Sequence, residues 1–187
     1  MTEKEWTESI AHFLRDKLSE IPYRACSVET GRKIPYGLEA RSYDDVDAPK
    51  PNVNQYETDL VVIDYEDEQS WKPRVIVEAK KSSVTTHDAI TYSQKALSHK
   101  TVHPYLRYGI MLGDRKHYPL PGRLYRHGSH FDFMISFVGD RPSKTEIDAF
   151  GRIIRAEIDT SRKLEKIIYE SRQRDREHYT ILQRMNS

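Results

Sequence analysis

The pattern of hydrophobic and polar positions predicts helices at both ends of the chain and strands between them. In residues 3–20, apolar side chains recur at helical spacing behind Thr2, the predicted N-cap. The residues on that face are Trp6, Ile10, Phe13, Leu14 and Leu18. Residues 58–81 read TDLVVIDYEDEQSWKPRVIVEAKK. Their two apolar runs around a polar connection predict a β-hairpin that is buried on both faces.

The rest of the chain alternates between apolar segments and segments rich in proline, glycine and charge. Strands are predicted at 35–44, 106–112 and 131–138, with loops at 45–57 and 113–130. A helix is predicted at 85–99 behind Thr85 or Thr86, with Ile90, Ala96 and Leu97 facing inward. Ser143 and Glu146 form the capping box of a C-terminal helix, which is expected to break or kink at 158–163. This order predicts an α/β (α+β) fold with a mixed central sheet flanked by helices and a C-terminal helical appendage.

The appendage has two interpretations, and both stay open here. The apolar stripe of residues 143–168 favours a layer packed on the same chain, whereas the more polar segment 169–187 favours a contact with a partner. We therefore expect a core over residues 1–142 and C-terminal helices over 143–187, within one domain overall.

Composition and charge narrow the class of protein. The chain has 187 residues, a formal net charge of +1 and one cysteine, so neither bulk attraction to a polyanion nor a disulfide framework is expected. The segment after Met1 lacks the basic and apolar parts of a signal peptide. No run approaches the roughly 18 apolar residues of a membrane span. We expect a soluble, cytoplasmic protein without a membrane partner.

Charged residues at the ends of the predicted hairpin form the candidate site. Asp59 shares a strand face with the apolar residues that follow it, and Glu78 and Lys80 share a face on the second strand. Since the turn brings the start of one strand beside the end of the other, these three side chains are expected to converge at one end of the sheet. Buried charges are costly unless they are paired or bind metal.

Two carboxylates and an ammonium group suggest metal-assisted phosphodiester hydrolysis. Carboxylate oxygens suit Mg²⁺, with Mn²⁺ as its expected substitute. The lysine could orient or deprotonate the attacking water, or stabilise charge on a phosphate. The alternative is a surface hairpin whose charged ends form ordinary ion pairs.

The arrangement of Asp59 and Glu78-Ala79-Lys80 after RVIV resembles the PD-(D/E)xK nuclease superfamily. The resemblance covers roughly residues 3–112, and the sequence is especially similar to nuclease domains of type I restriction motor subunits and to type II restriction endonucleases. It implies a restriction-endonuclease-like core with the order helix, three strands, helix, strand, in which residues 35–44 are the first strand. The catalytic aspartate lies on the second of these strands, and E-x-K ends the third.

By the same resemblance, Asp59, Glu78 and the backbone carbonyl of Ala79 would bind the metal, and Lys80 would be the catalytic lysine. Some members add an acidic residue from the first helix, for which Glu5 and Glu8 are the candidates. The sequence departs from the family pattern in two places. Thr58 stands in place of the usual proline. Some related nucleases carry Gln-x-x-x-Tyr on the following helix, where Tyr92 could be the tyrosine, but Asp88 stands in the glutamine position and Gln94 comes two residues after Tyr92.

A basic segment provides candidate contacts to nucleic acid. Residues 99–130 carry six lysines and arginines against Asp114, a net +5, so the rest of the chain sums to +1 − 5 = −4. Phosphate contacts from such a segment would supply affinity. The candidate DNA-binding residues are Lys81, Arg115, Lys116, Arg123 and Arg126. A solvated loop is the alternative.

Together these observations predict a Mg²⁺-dependent DNA endonuclease of restriction type. One site cuts one strand, so the partner besides DNA would be a second copy in a homodimer or a second restriction subunit. The alternatives are a catalytically inactive nucleic-acid-binding or assembly subunit on the same fold, and a repair or resolvase nuclease.

Overall fold

A five-stranded mixed sheet forms the centre of the protein. The computed structural model describes residues 1–19, 26–67, 69–115 and 120–170. The helices are α1 (Glu3–Ser19), α2 (Thr86–Val102), α3 (Gly122–His127) and α4 (Lys144–Glu165), and α4 continues into a π-helical turn, Lys166–Glu170. The strands are β1 (Cys26–Glu29), β2 (Lys33–Tyr43), β3 (Pro49–Glu57), β4 (Leu60–Tyr65), β5 (Trp71–Lys81), β6 (Arg107–Gly113) and β7 (Phe133–Ser136). The predicted α/β class with a mixed sheet is confirmed.

The sheet has the strand order β1-β4-β5-β6-β7. β4 is antiparallel to both β1 and β5. β6 is parallel to both β5 and β7, and α2 forms the crossover between β5 and β6. A helix therefore precedes three antiparallel strands, and a second helix leads to a parallel fourth strand.

Alternating side chains give the sheet two apolar faces. Leu60 and Val62 of β4 join a core cluster with α1 and α4, whose members include Trp6 and Phe150. Val61 and Ile63 point the other way, into a cluster with residues of α2 and α3. These strands are buried on both faces, as predicted from their continuous apolar runs.

The β2–β3 ribbon, residues 33–57, is a separate two-stranded sheet inserted between β1 and β4. It leaves and re-enters the core at one point, where Gly31 N–H donates to Thr58 O at 2.9 Å and Thr58 N–H donates to Arg32 O at 3.0 Å. Near that point Tyr36 and Tyr56 stack with ring centroids 3.7 Å apart and pack on α2. Further out the ribbon is exposed.

The ribbon corrects two predictions. Residues 35–44, predicted as the first strand of the core, belong to the ribbon, and the first strand of the central sheet is Cys26–Glu29. Residues 45–57, predicted as a loop, contain β3. Proline is tolerated there because each strand of a two-stranded ribbon has a free edge, so Pro49 and Pro51 need not donate a ladder hydrogen bond.

Two further corrections concern the helices. The predicted break at 158–163 is wrong, because Ile158 and Ser161 continue the buried stripe of an uninterrupted α4. The predicted loop 113–130 contains the short helix α3, which buries Leu124.

The inward face of α2 was also predicted incorrectly in part. Ala96 is buried as expected, whereas Ile90 and Leu97 are exposed. The remaining buried residues of α2 are Ala89, Ser93 and His99. Apart from His99 these side chains are small, and α2 packs chiefly against β2 of the ribbon and against α3.

The helix starts follow the predicted capping chemistry. Glu5 N–H donates to the Thr2 hydroxyl at 3.2 Å, and capping boxes occur at Thr85 and at Ser143. Of the predicted α1 face, Phe13 alone is exposed, at 40%. No helix in the described ranges is long and apolar enough to cross a membrane.

The apolar stripe of α4 packs against α1 and the central sheet through Ile147, Phe150, Ile154 and Ile158. The predicted partner contact of 169–187 stays a prediction, and residues 171–187 lie outside the described part of the chain.

Candidate active site

Pairing of β4 with β5 brings Asp59 and Glu78 together. Leu60 is the register partner of Val77, so Asp59, one residue before β4, lies opposite Glu78, one residue further along β5. The Asp59 carboxylate accepts the backbone N–H of Ala79 at 2.8 Å. The bend at Asp59 is thereby fixed to the far end of the neighbouring strand, as the sequence pattern predicted.

Glu78 is a buried carboxylate, with 2% of its surface exposed. Burial raises the pKa of Glu78 most, and the negative charge of Asp59 raises it further. Lys95 and a hydrogen bond donated by the Tyr108 hydroxyl act in the opposite direction. The resulting pKa is about 7, so this side chain titrates near neutral pH.

Lys80 lies on the same strand face, two residues beyond Glu78. Its ammonium group is 3.8 Å from the carboxylate of Asp88 in the first turn of α2. Asp88 also closes the capping box with Thr85. Asp88 therefore anchors the start of α2 and faces Lys80.

Lys95 and Tyr108 were absent from the sequence prediction of the site, and Tyr92 was named there only as the possible tyrosine of Gln-x-x-x-Tyr. Lys95 Nζ, on α2, is 3.5 Å from Glu78 Oε2. The Tyr108 hydroxyl, on β6, donates to Glu78 Oε1. The pKa of Tyr92 is raised by burial first and then by the charges of Glu78 and Asp59. A polar residue on the inward face of a predicted helix or strand was the available signal for all three.

A cleft of about 250 Å³ lies beside Asp59, between α1 and the base of the ribbon. Of the two acidic candidates from the first helix, Glu8 lines this cleft. Glu5 instead accepts the N–H of Thr2 at 2.8 Å. Glu3, which was not predicted, lines the cleft and accepts the N–H of Lys81 at 2.8 Å. Glu3 and Glu8 are thus the α1 carboxylates at the candidate site.

The donor set around Asp59 and Glu78 is made of oxygen atoms. In the described ranges no group of three or more histidine, cysteine, aspartate or glutamate side chains could hold a metal ion. The candidate set consists of two carboxylates, and the carbonyl of Ala79 stays the predicted third ligand. Oxygen ligands in this small number suit Mg²⁺, which retains several waters when bound.

The candidate DNA contacts are largely occupied by the protein itself. Lys81 Nζ pairs with Asp140 at 2.7 Å. Arg115 donates to the carbonyl of Ser82 at 2.8 Å, and Arg123 donates to that of Val84 at 2.9 Å. These two arginines hold the connection between E-x-K and α2.

The two remaining candidate DNA contacts are Arg126 and Lys116. Arg126 is exposed on α3. Lys116 lies outside the described residues.

The charge of the basic segment is also partly neutralised by acids beyond it. Lys100 lies 2.7 Å and Arg107 lies 3.0 Å from the carboxylate of Asp132. Arg107 additionally pairs with Glu157 of α4. The net +5 counted along the sequence therefore overstates the positive charge at this surface.

The chain matches no protein-family model and no curated protein sequence. The chemical interpretation of the site therefore depends on the placement of its own residues.

Proposed function

We propose that the protein is a Mg²⁺-dependent DNA endonuclease that hydrolyses phosphodiester bonds. One observation supports this most. The carboxylates of Asp59 and the buried Glu78 lie together at one end of the paired strands β4 and β5, and Lys80 lies at the same end. An ordinary surface ion pair does not require a buried glutamate beside a second carboxylate.

The order of elements supports a restriction-endonuclease-like core. Helix α1 is followed by the antiparallel strands β1, β4 and β5, and α2 leads to the parallel strand β6. Asp59 stands at the start of the second of these strands, and Glu78-Ala79-Lys80 ends the third. The ribbon is an insertion into this order.

The chemistry of the site fits a divalent cation. Burial first and then the charge of Asp59 raise the pKa of Glu78, and a bound cation would offset both effects. Asp59 and Glu78 would hold the cation together with the carbonyl of Ala79. When bound, Mg²⁺ would neutralise the carboxylates and stabilise negative charge on the phosphate undergoing hydrolysis.

The other residues supply positioning and positive charge. Ala79 N–H fixes one oxygen of Asp59, and Tyr108 fixes one oxygen of Glu78. Lys80 orients the attacking water or stabilises charge on the phosphate, and Asp88 holds its ammonium group. Hydrolysis adds water to phosphorus and breaks the bond to the leaving oxygen, which ends as a hydroxyl group.

Cleavage of supercoiled plasmid and of genomic DNA in Mg²⁺ or Mn²⁺ tests the proposal. Asp59→Asn and Lys80→Ala are each expected to lower the cleavage rate by about 100-fold or more. Matched controls are Asp16→Asn, an exposed carboxylate on α1, and Lys144→Ala at the exposed start of α4. Circular dichroism verifies that each variant is folded.

The form of the products distinguishes the narrower alternatives. Discrete fragments indicate sequence recognition by the chain itself, whereas nicked circles alone indicate that a second restriction subunit is required. Equal cleavage by wild type and Asp59→Asn would contradict the proposed site. DNA binding without cleavage in any metal would favour the inactive assembly subunit.

A further inference from the structure

Lys95 is the positively charged group that lies next to the buried carboxylate. Its Nζ is 3.5 Å from Glu78 Oε2, and its side chain is 23% exposed. At this distance the contact is a loose ion pair. Since an ammonium group has three N–H donors, Lys95 keeps donors that Glu78 does not use.

Lys80, in contrast, is turned toward the start of α2. Its ammonium group forms an ion pair with Asp88, 3.8 Å away. The two lysines therefore occupy different sides of the site, with Lys80 toward Asp88 and Lys95 toward Glu78.

Two tyrosine rings restrict the position of Lys95. Its ammonium group lies 5.4 Å from the ring centroid of Tyr56 at the base of the ribbon and 5.3 Å from that of Tyr92 on α2. Both distances are within the range of cation–π attraction. A lysine held between two rings loses less conformational entropy when it binds a ligand than a lysine on an open surface.

We propose that Lys95 is a second active-site lysine that contacts the phosphate at the cleavage position. This inference rests on the proposed nuclease function. A cation bound by Asp59 and Glu78 would take over the neutralisation of Glu78, and the ammonium group of Lys95 would then face the phosphate beside it. The ribbon and α2 would then both position the Lys95 side chain, through Tyr56 and Tyr92.

The test uses a short duplex whose cleavage position by the wild type has been mapped. In one version the phosphate at that position is replaced by a neutral methylphosphonate. Binding of both duplexes is measured by fluorescence anisotropy in Ca²⁺, and single-turnover cleavage of the natural duplex is measured in Mg²⁺ at saturating protein. The variants are Lys95→Met and Lys95→Arg, with Lys144→Met as the control.

If Lys95 contacts the phosphate, the methylphosphonate weakens binding by the wild type about 10-fold or more, as loss of a charge-assisted hydrogen bond predicts. The same replacement weakens binding by Lys95→Met about 10-fold less than it weakens binding by the wild type, because only the contact from Lys95 is missing and the contact from the bound cation remains. Lys95→Met also slows cleavage by about 100-fold, and Lys95→Arg recovers part of that rate. Lys144→Met behaves like the wild type in every measurement.

Other outcomes overturn the inference. Cleavage by Lys95→Met at the wild-type rate would exclude a role for Lys95 while leaving the nuclease function intact. A slow Lys95→Met variant that keeps the full methylphosphonate penalty would make Lys95 a counter-ion of Glu78 only. If the wild type cleaves no DNA, the proposed function fails and this inference fails with it.

Discussion

Replacement of Glu78 by glutamine should remove a pH-dependent loss of stability. The pKa of Glu78 is raised from 4.5 to about 7 by burial and by Asp59. In the unfolded chain this carboxyl group ionises near 4.5, so between pH 4.5 and 7 the folded protein holds a proton that the unfolded chain has released. Protonation of Glu78 therefore stabilises the folded wild type fully below pH 4.5, and this stabilisation is lost as pH rises through 7.

The magnitude follows from the two pKa values. A difference of about 2.5 units, at about 1.4 kcal/mol per unit, corresponds to about 3 kcal/mol of folding free energy. Glutamine has nearly the same shape and carries no charge, so the variant lacks this contribution. The unfolding free energy of Glu78→Gln minus that of the wild type should rise by about 3 kcal/mol between pH 4.5 and pH 8.

Urea denaturation at half-unit pH intervals in EDTA measures this difference. Taking the difference between the two proteins cancels other titrating groups, such as His99, whose pKa is lowered by burial to about 4. Addition of Mg²⁺ at pH 8 should stabilise the wild type and leave Glu78→Gln unchanged. A difference that stays flat from pH 4.5 to pH 8 would refute the reasoning.

Three further predictions concern the rest of the molecule. Asp64→Ala should destabilise the protein by about 3–5 kcal/mol in urea denaturation, because buried Asp64 pairs with Arg74 and Arg162; a loss below about 1 kcal/mol would contradict this. Burial and the hydrogen bond to Asp64 raise the pKa of Cys26 to about 12, so Ellman's reagent at pH 8 should label the native protein more than about 10-fold slower than the unfolded chain, and equal rates would be contrary evidence. Phe150→Ala should cost about 3–5 kcal/mol, since its ring is fully buried between α1 and the sheet; a midpoint in urea equal to that of the wild type would disprove it.

The elements with strong local signals were predictable. Capping boxes and apolar periodicity located α1, α2 and the start of α4. Continuous apolar runs located β4 and β5. Because side chains alternate along a strand, the same runs also determined that Asp59 and Glu78 lie on one face.

The features that the sequence did not reveal depend on tertiary contacts. β3 contains two prolines and reads as a loop, yet it pairs because β2 offers it a complete edge. Lys95 and Tyr108 are ordinary residues in their own elements and meet Glu78 only when α2 and β6 pack on β5. The positive charge counted along residues 99–130 is partly neutralised by Asp132 and Glu157, which lie outside that segment and meet it only in the folded protein.

Because the β2–β3 ribbon is closed at its base, its outer part can change in length without changing the core. The chain leaves at Gly31 and returns at Thr58 through hydrogen bonds that the outer part of the ribbon does not touch. Lengthening such a segment costs little, about 0.6 kcal/mol for each doubling of a flexible loop. Residues beyond Leu38 and Val53 are therefore a natural place for insertions to accumulate over evolution. They also offer a position for grafting a foreign peptide without rebuilding the sheet.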